Sequence, residues 1–267
     1  MIEFPNAKIN LGLNILRKRP DGYHDIESCF YPVSWTDALE IIPSECFTFT
    51  SSGIEIPDND SGNLCTQAYE LIRKDHQITE VSIHLHKNIP IGAGLGGGSA
   101  DCAFTFQILN KLFQLQLTDQ KLEEYAAVLG SDCPFFIKNS AVIASETGTT
   151  LKTIDLDLSG YYLIIIYPGI HISTAEAYAC IKPEANVPSI EQIVLEKPVE
   201  QWKNYLKNDF EVGLFLNYPI LERIKNRFYE YGAIYSSMTG SGSAIYGLFS
   251  SETDNPFKEY KSFCGFL

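Results

Sequence analysis

Five of the thirteen residues in Ile89-Pro90-Ile91-Gly92-Ala93-Gly94-Leu95-Gly96-Gly97-Gly98-Ser99-Ala100-Asp101 are glycine. Ordering them costs roughly 0.5–1 kcal/mol each relative to Ala inside regular structure, so a loop without a binding task is rarely built this way. The segment before it, Val81 to His86, is apolar at every second position and reads as a strand. The segment after it, Cys102 to Phe113, has the scattered polar residues of a mostly buried helix. Glycines between a strand and a helix start let backbone amides and the positive helix end come close to an anion. Ser99 is placed either to cap that helix or to set a hydroxyl on a phosphate or its metal.

Four readings of the loop compete. Gly92-Ala93-Gly94-Leu95-Gly96-Gly97 matches the dinucleotide pattern G-x-G-x-x-G, but the acidic residue expected roughly twenty residues on falls in Gln114 to Asp119, a link between helical stretches. A Walker A loop needs Gly-Lys-Ser/Thr, and no Lys follows the glycines. A purely structural turn fits five glycines poorly. The fourth reading, a phosphate cradle of another kinase type, needs partners elsewhere in the chain.

Two such partners have suggestive settings. Lys8 and Asn10 stand two apart in a strictly alternating strand, Lys8 to Ile15, whose Ile9, Leu11, Leu13 and Ile15 face a core. On this segment alone an ordinary solvated lysine is the better reading of Lys8. Asp132 lies in Ser131-Asp132-Cys133-Pro134-Phe135-Phe136, directly after a helix with the stripe Leu122, Tyr125, Ala126 and Leu129 that Gly130 ends. It is either an N-cap ahead of Pro134 or a carboxylate in a semi-apolar cleft. Tyr23-His24 follows the turn Pro20-Asp21-Gly22; turn chemistry explains the three turn residues and leaves the aromatic pair as a packed edge or a binding face.

The elements that must position these groups alternate in type. Strands are expected over Asp37 to Pro43, Cys46 to Thr50 and Tyr161 to Pro168, and a polar loop over Pro57 to Asn63. Helices are expected over Leu64 to Lys74, with Leu64, Ala68 and Leu71 inward, from Thr118 or Asp119, from Ile172 to Tyr178, and over Pro219 to Tyr231. Composition loosens between Lys182 and Lys203. Ile234 to Phe249 reads as strand, glycine turn, strand. This is an α+β chain with two halves, 1–150 and 151–267, divided near residues 146–152.

The chain has 267 residues, 45% hydrophobic and 20% charged, with a formal charge of −13. That charge argues against nucleic acid or an anionic membrane as partner, yet leaves a nucleotide bound through backbone amides open. Seven cysteines without paired spacing point to reduced thiols and a cytoplasmic setting, with Cys65, Cys102 and Cys133 as packing residues. No Cys-x-x-Cys occurs and the five histidines are scattered, so no metal-ligand set is expected. The longest apolar run, Tyr161 to Tyr167, is too short to cross a bilayer.

Three separated segments together resemble the GHMP kinase superfamily, which includes galactokinase, homoserine kinase, mevalonate kinase and phosphomevalonate kinase. Ala7-Lys8-Ile9-Asn10-Leu11 is similar to its first motif, Pro90 to Ala100 to its phosphate-binding second motif, and Met238-Thr239-Gly240-Ser241-Gly242-Ser243 to its third. Asp21-Gly22-Tyr23-His24 and Gly130 to Phe136, with the Ala-Lys-Ile-Asn-Leu form of the first motif, resemble the branch acting on a cytidine diphosphate-linked sugar alcohol. Asn6, where many members have Pro, and Thr147-Gly148-Thr149, where many have Gly-Glu, depart from the pattern.

The resemblance implies a two-domain GHMP fold with the active site in the cleft between domains, ATP and Mg²⁺ as cofactors, and no obligate protein partner. It implies Asp132 as general base on the acceptor hydroxyl and Lys8 as the cation that stabilises the developing alkoxide. Pro90, Ile91, Gly92, Ala93, Gly94, Leu95, Gly96, Gly97, Gly98, Ser99 and Ala100 would wrap the ATP phosphates, with Asn63, Leu64 and Lys87 near the adenine. Tyr23 and His24 would hold the cytosine, and Asn10, Thr174 and Tyr178, with Gly240 and Ser241 of the third motif, would serve the acceptor. Runner-up readings are a mevalonate or homoserine kinase of the same group, or a nucleotide-binding module without phosphotransfer.

Overall fold

The computed structural model describes residues 1–57, 62–181, 183–184 and 187–267. Of the polar loop expected from Pro57 to Asn63, residues 58–61 lie outside the described residues, as do 182, 185 and 186 of the loosened stretch. The described strands are β1 (Ile2–Glu3), β2 (Asn6–Lys18), β3 (His24–Thr36), β4 (Ala38–Pro43), β5 (Thr48–Gly53), β6 (Val81–Lys87), β7 (Val142–Glu146), β8 (Thr150–Thr153), β9 (Tyr162–Tyr167), β10 (Tyr235–Met238), β11 (Ile245–Phe249) and β12 (Lys261–Phe266). The α-helices are α1 (Leu64–Asp75), α2 (Gly97–Leu112), α3 (Asp119–Leu129), α4 (Phe135–Lys138), α5 (Thr174–Ala179), α6 (Ile190–Glu196), α7 (Phe210–Asn217) and α8 (Pro219–Glu230).

The chain divides into two compact units that interleave along the sequence. The first holds Met1–Ala7, Trp35–Ile91 and Gly96–Ser140; the second holds Lys8–Ser34, Gly92–Leu95 and Ala141–Leu267. This differs from a single break near 146–152, and strand pairing explains why. The second unit's sheet β2-β3-β7-β8 draws residues 8–34 away from the N-terminal half and onto Val142 to Thr153.

In the first unit the sheet has the order β1-β4-β6-β5, with β5 parallel to β6 and the other pairs antiparallel. Helices α1, α2 and α3 pack on one another, burying Cys65, Ala68, Tyr69, Ile72, Cys102, Phe106 and Leu122. The buried stripe of α1 is therefore Cys65, Ala68, Tyr69 and Ile72, one position on from the expected Leu64-Ala68-Leu71 face; Leu64 and Leu71 stay half-buried. Asn63 caps α1 through Cys65 N–H, and Thr118 caps α3 through Lys121 N–H.

In the second unit the sheet β10-β11-β9-β12 is wholly antiparallel and carries α7 and α8 in its core through Phe210, Leu214, Leu221, Ile224 and Phe228. Helix α8 buries Leu221, Ile224 and Phe228, while Tyr231, the last residue of the expected helix, stands just past its end and is exposed. The Thr147-Gly148-Thr149 segment is the turn of the β7-β8 hairpin, with Gly148 at φ +88°. Asn6 makes a reciprocal amide pair with Asn139 at 2.6 and 3.1 Å. All seven cysteines are free thiols, Cys65, Cys102 and Cys133 buried as expected.

Candidate active site

Strand β2 carries Lys8 and Asn10, and here the structure overturns the solvated lysine. Ten successive residues from Asn6 to Ile15 are buried, so the polar face of the alternation is covered as thoroughly as the apolar one. Lys8 is 3% exposed. Its Nζ donates to Asn10 Oδ1 at 2.7 Å and stands 4.6 Å from the Phe30 ring centroid. Asn10 Nδ2 in turn donates to Ser28 Oγ at 2.9 Å, and the Asn10 backbone N–H donates to Thr239 Oγ1 at 3.1 Å. The lysine is thus held by an amide whose own orientation is fixed by Ser28 on β3 and by Thr239, just past the end of β10. Burial of a charged group demands such partners. Sequence reasoning singles out Lys8 and Asn10 and gives Thr239 only as part of the third motif; it misses Ser28, and only tertiary pairing brings both to Asn10.

The central loop is anchored by its apolar side chains and leaves backbone at the surface. Ala93 and Leu95 are each 1% exposed, while Gly92 and Gly98 are exposed. Within the second unit, residues 92–95 are laced to both other motifs. Lys8 N–H donates to Leu95 O at 2.9 Å, Ala244 N–H to Ala93 O at 3.1 Å, and Thr239 Oγ1 lies 3.1 Å from Gly94 O. Gly94, at φ +79°, faces the Thr239 carbonyl so closely that a Cβ there would collide with it. Gly94→Ala is therefore expected to destabilise the protein by about 1–3 kcal/mol through forced φ and backbone displacement. An unchanged urea midpoint would show that the loop is not pinned there. Gly240, at φ +55°, packs on Gly94 and Asn10, so its place is beneath the loop, while Ser241 is half-buried.

In the first unit the loop becomes helix. Gly96, at φ +73°, is the N-cap of α2, and no side chain caps that end. By contrast Asn63, Thr118, Ser173 and Ser189 cap α1, α3, α5 and α6. A long helix whose start offers glycine backbone and no side-chain acceptor suits an external anion. Of the two sequence readings of Ser99, the side-chain cap is thereby excluded. Leu64 lies 3.8 Å from where a Gly98 Cβ would stand, which puts the head of α1 beside the exposed loop glycine.

Asp132 reaches the same end of α2 through its neighbour. The Cys133 thiol is within hydrogen-bonding reach of Cys102 and Ser99, which together hold it below the usual thiol range against the opposing effect of burial. Asp132 is half-buried in the turn between α3 and α4. The N-cap position of α4 is occupied by Pro134 without a side-chain hydrogen bond, so Asp132 does not cap that helix.

Lys87 has a different setting from the adenine contact the resemblance implies. It is 3% exposed, and its ammonium is bound to Asp37 and, at 2.8 Å, to Asp101. Burial pulls Lys87 down, and the two carboxylates more than offset it, leaving the ammonium above its usual pKa. Burial likewise holds Asp101 above the usual carboxylate range, against the pull of Lys87. Asp37 also accepts the N–H groups of Asn88 and Ile89 at 2.6 and 2.8 Å. The cluster therefore fixes the exit of β6 to the first turns of α2, under Gly97, whose Cβ would fall 3.2 Å from Lys87 Nζ. Asp101 follows the glycine motif directly, but Asp37 carries no local signal of this role.

The residues expected to serve the acceptor lie in the second unit. His24 stacks on Tyr178 with ring centroids 4.7 Å apart and a 19° interplanar angle, and Tyr178 meets Phe210 edge-on. Partial burial, aided by the Lys18 charge, holds His24 below the usual histidine pKa and so favours its neutral ring. Tyr23 is 67% exposed. Thr174 opens α5 behind the cap Ser173 and is exposed. The expected side-by-side Tyr-His face thus splits into a free tyrosine and a histidine already stacked.

Two family descriptions match the chain, the GHMP kinases N terminal domain over residues 63–140 and the GHMP kinases C terminal over residues 190–259. The chain belongs to the GHMP kinase family, and it is an ATP-dependent phosphotransferase acting on an alcohol. Within the family its similarity is most specific to proteins of one name. The 4-diphosphocytidyl-2-C-methyl-D-erythritol kinase of Bacteroides fragilis is 50% identical over 256 residues, 94% of this chain and 93% of the relative. That of Cytophaga hutchinsonii is 48% identical, covering 95% and 94%. A crystal structure of 4-(cytidine 5'-diphospho)-2C-methyl-D-erythritol kinase superposes with a TM-score of 0.78 at 31% identity, over 93% of this chain and 90% of that one. A mevalonate kinase structure shares the fold at TM-score 0.73 and 16% identity, covering 99% and 98%.

Proposed function

We propose that this chain phosphorylates the 2-hydroxyl of 4-diphosphocytidyl-2-C-methyl-D-erythritol with ATP, a step of non-mevalonate isoprenoid precursor synthesis. The observation that carries the reading is similarity over nearly the whole chain, at 46–50% identity, to relatives sharing that one name. Mevalonate and homoserine kinases share the fold at 16–17% identity, which speaks for architecture alone. A panel of hydroxyl acceptors with ATP, followed by mass analysis of the product, tests it.

In this reading Asp132 takes the proton from the attacking hydroxyl, and Lys8, held by Asn10, stabilises the developing alkoxide. Backbone amides at Gly96 to Ser99 receive ATP phosphate oxygens, and Leu64 with Asn63 borders the adenine. Lys87 supports the loop from beneath rather than touching the base. Among the described residues no three His, Cys, Asp or Glu side chains form a metal cage. That donor poverty fits Mg²⁺, an ion held largely by nucleotide phosphates and one or two protein oxygens. Ser99, released from capping, is the residue that would hold it beside the nucleotide phosphates, and when bound it would neutralise charge on the transferring phosphoryl group. The described residues include no helix long and apolar enough to cross a membrane. A cytoplasmic setting and the absence of an obligate partner belong to the same proposal.

Tyr23 is assigned to the cytosine. An exposed ring beside the His24-Tyr178 stack offers a face for a base, worth about 0.5–1.5 kcal/mol beyond buried area. Tyr23→Ala is expected to raise KM for the cytidine acceptor roughly tenfold, since about 1.4 kcal/mol is one decade, with little change in KM for ATP. Tyr23→Phe should keep most of the stacking. Equal shifts in both KM values on Tyr23→Ala would remove Tyr23 from the base site.

A further inference from the structure

His171 stands between β9 and α5, exposed, with its ring against the first glycine of the loop. A Cβ on Gly92 would come within 2.7 Å of His171 Nδ1 and 2.8 Å of Cε1, so an imidazole edge covers the Gly92 α-carbon. The neighbouring backbone is fixed independently. The Ser243 hydroxyl donates to the Ile170 carbonyl, and the next residue, Ala244, donates its N–H to Ala93 O. One turn, Ser243-Ala244, thereby ties both the histidine's segment and the glycine loop. Among the described residues the His171 side chain has no hydrogen-bond or ion-pair partner. Three residues on, Thr174 begins the helix that carries Tyr178.

A bare imidazole held at a phosphate loop has an obvious chemistry. Its ring N–H donates to an oxyanion, and protonation adds a charge that a carboxamide or hydroxyl lacks. The loop itself offers backbone amides, which bind phosphate without discriminating among phosphate esters. We propose that His171 is a specificity-determining contact to phosphate, its ring N–H donating to an oxygen held beside Gly92. This rests on the reading that the chain moves phosphate from ATP to a cytidine diphosphate-linked alcohol. ATP carries a triphosphate and the acceptor a diphosphate, so the phosphoanhydride chemistry is shared, and the source is a matter for measurement.

The test uses the full chain with His171→Ala and His171→Gln, the second keeping a side-chain N–H. Calorimetry gives the Kd of ATP and of the cytidine acceptor separately, steady-state kinetics gives kcat and KM, and thermal melting follows the fold. The expected result for His171→Ala is a roughly tenfold or greater weakening of at least one ligand, the loss of one hydrogen bond to a charged group. Melting stays unchanged, kcat at saturation moves less than KM, and Gln recovers part of the affinity. Weakening in the ATP arm assigns the contact to the nucleotide; weakening in the other arm assigns it to the acceptor's diphosphate. Unchanged affinities, or weakening that accompanies a lowered melting midpoint, overturn the proposal and leave His171 as packing on Gly92. Wild-type protein that fails to phosphorylate the cytidine acceptor would instead sink the functional reading, while the ATP arm still decides the role of His171.

Discussion

Asp132→Asn is expected to fold as the wild type does, to bind ATP with unchanged affinity, and to lose turnover by about 10²–10⁴-fold, the range for removal of a general base. Asparagine keeps the shape of the side chain and removes its basicity. The fold should tolerate the change because Asp132 does not cap α4, whose N-cap position is Pro134. The buried anchor of the turn is Cys133, packed toward Ser99 and Cys102, and the substitution leaves it in place. Single-turnover kinetics at saturating ATP isolates the phosphoryl-transfer step from product release. Near-normal turnover in that experiment would show that another group takes the proton.

Lys8→Met should produce a comparable loss by a different route. Methionine fills most of the lysine's volume in a site that is 3% exposed, so the packing against Phe30 is largely kept. The substitution removes a cation aimed by Asn10, and removal of one preorganised electrostatic partner lowers kcat by about 10²–10³-fold. ATP affinity should change little, because the loop is tied to residue 8 through the backbone N–H to Leu95, which the side chain does not affect. The check is kcat and ATP Kd on the same preparation, with the urea midpoint as the fold control. A Lys8→Met enzyme with kcat within a few-fold of wild type would place the charge stabilisation elsewhere.

What the sequence makes legible here follows from which signals are local. The glycine run, the strand before it and the helix after it are all neighbours in the chain, and α2 begins at Gly97 inside the run. Asp132 was visible because Gly130 and Pro134 bracket it. Lys8 is legible as a strand-borne lysine, but its role comes only from the resemblance, since alternation reports one buried face of β2 and is silent about what covers the other. The covering groups, Ser28 and Thr239, sit 18 and 229 residues from Asn10. Lys87 shows the converse. The resemblance places it near the adenine, but its partners Asp37 and Asp101 lie 50 and 14 residues away, and the buried brace they form with it has no local signal.

Local pattern leaves α7 unmarked for a physical reason. Helix α7 spans eight residues with Gly213 inside it, where the residue has poor helix propensity, and only packing rewards the glycine. A Cβ at 213 would strike Cys180, so the glycine marks a close helix approach rather than a break. The two interleaved units escaped a linear reading for the same cause: β2 begins with Asn6 and Ala7 in one unit and continues in the other.

The proposed reaction transfers ATP phosphate to the hydroxyl of a cytidine diphosphate-linked methylerythritol. Its most direct test is ATP consumption by the purified full-length chain, with Mg²⁺, measured with and without that acceptor. Negligible turnover is expected with ATP alone, stoichiometric ADP and a monophosphorylated acceptor when the cytidine compound is present, and no response to mevalonate or homoserine. Equal ATP consumption with and without the acceptor, or faster turnover with mevalonate or homoserine, would contradict it.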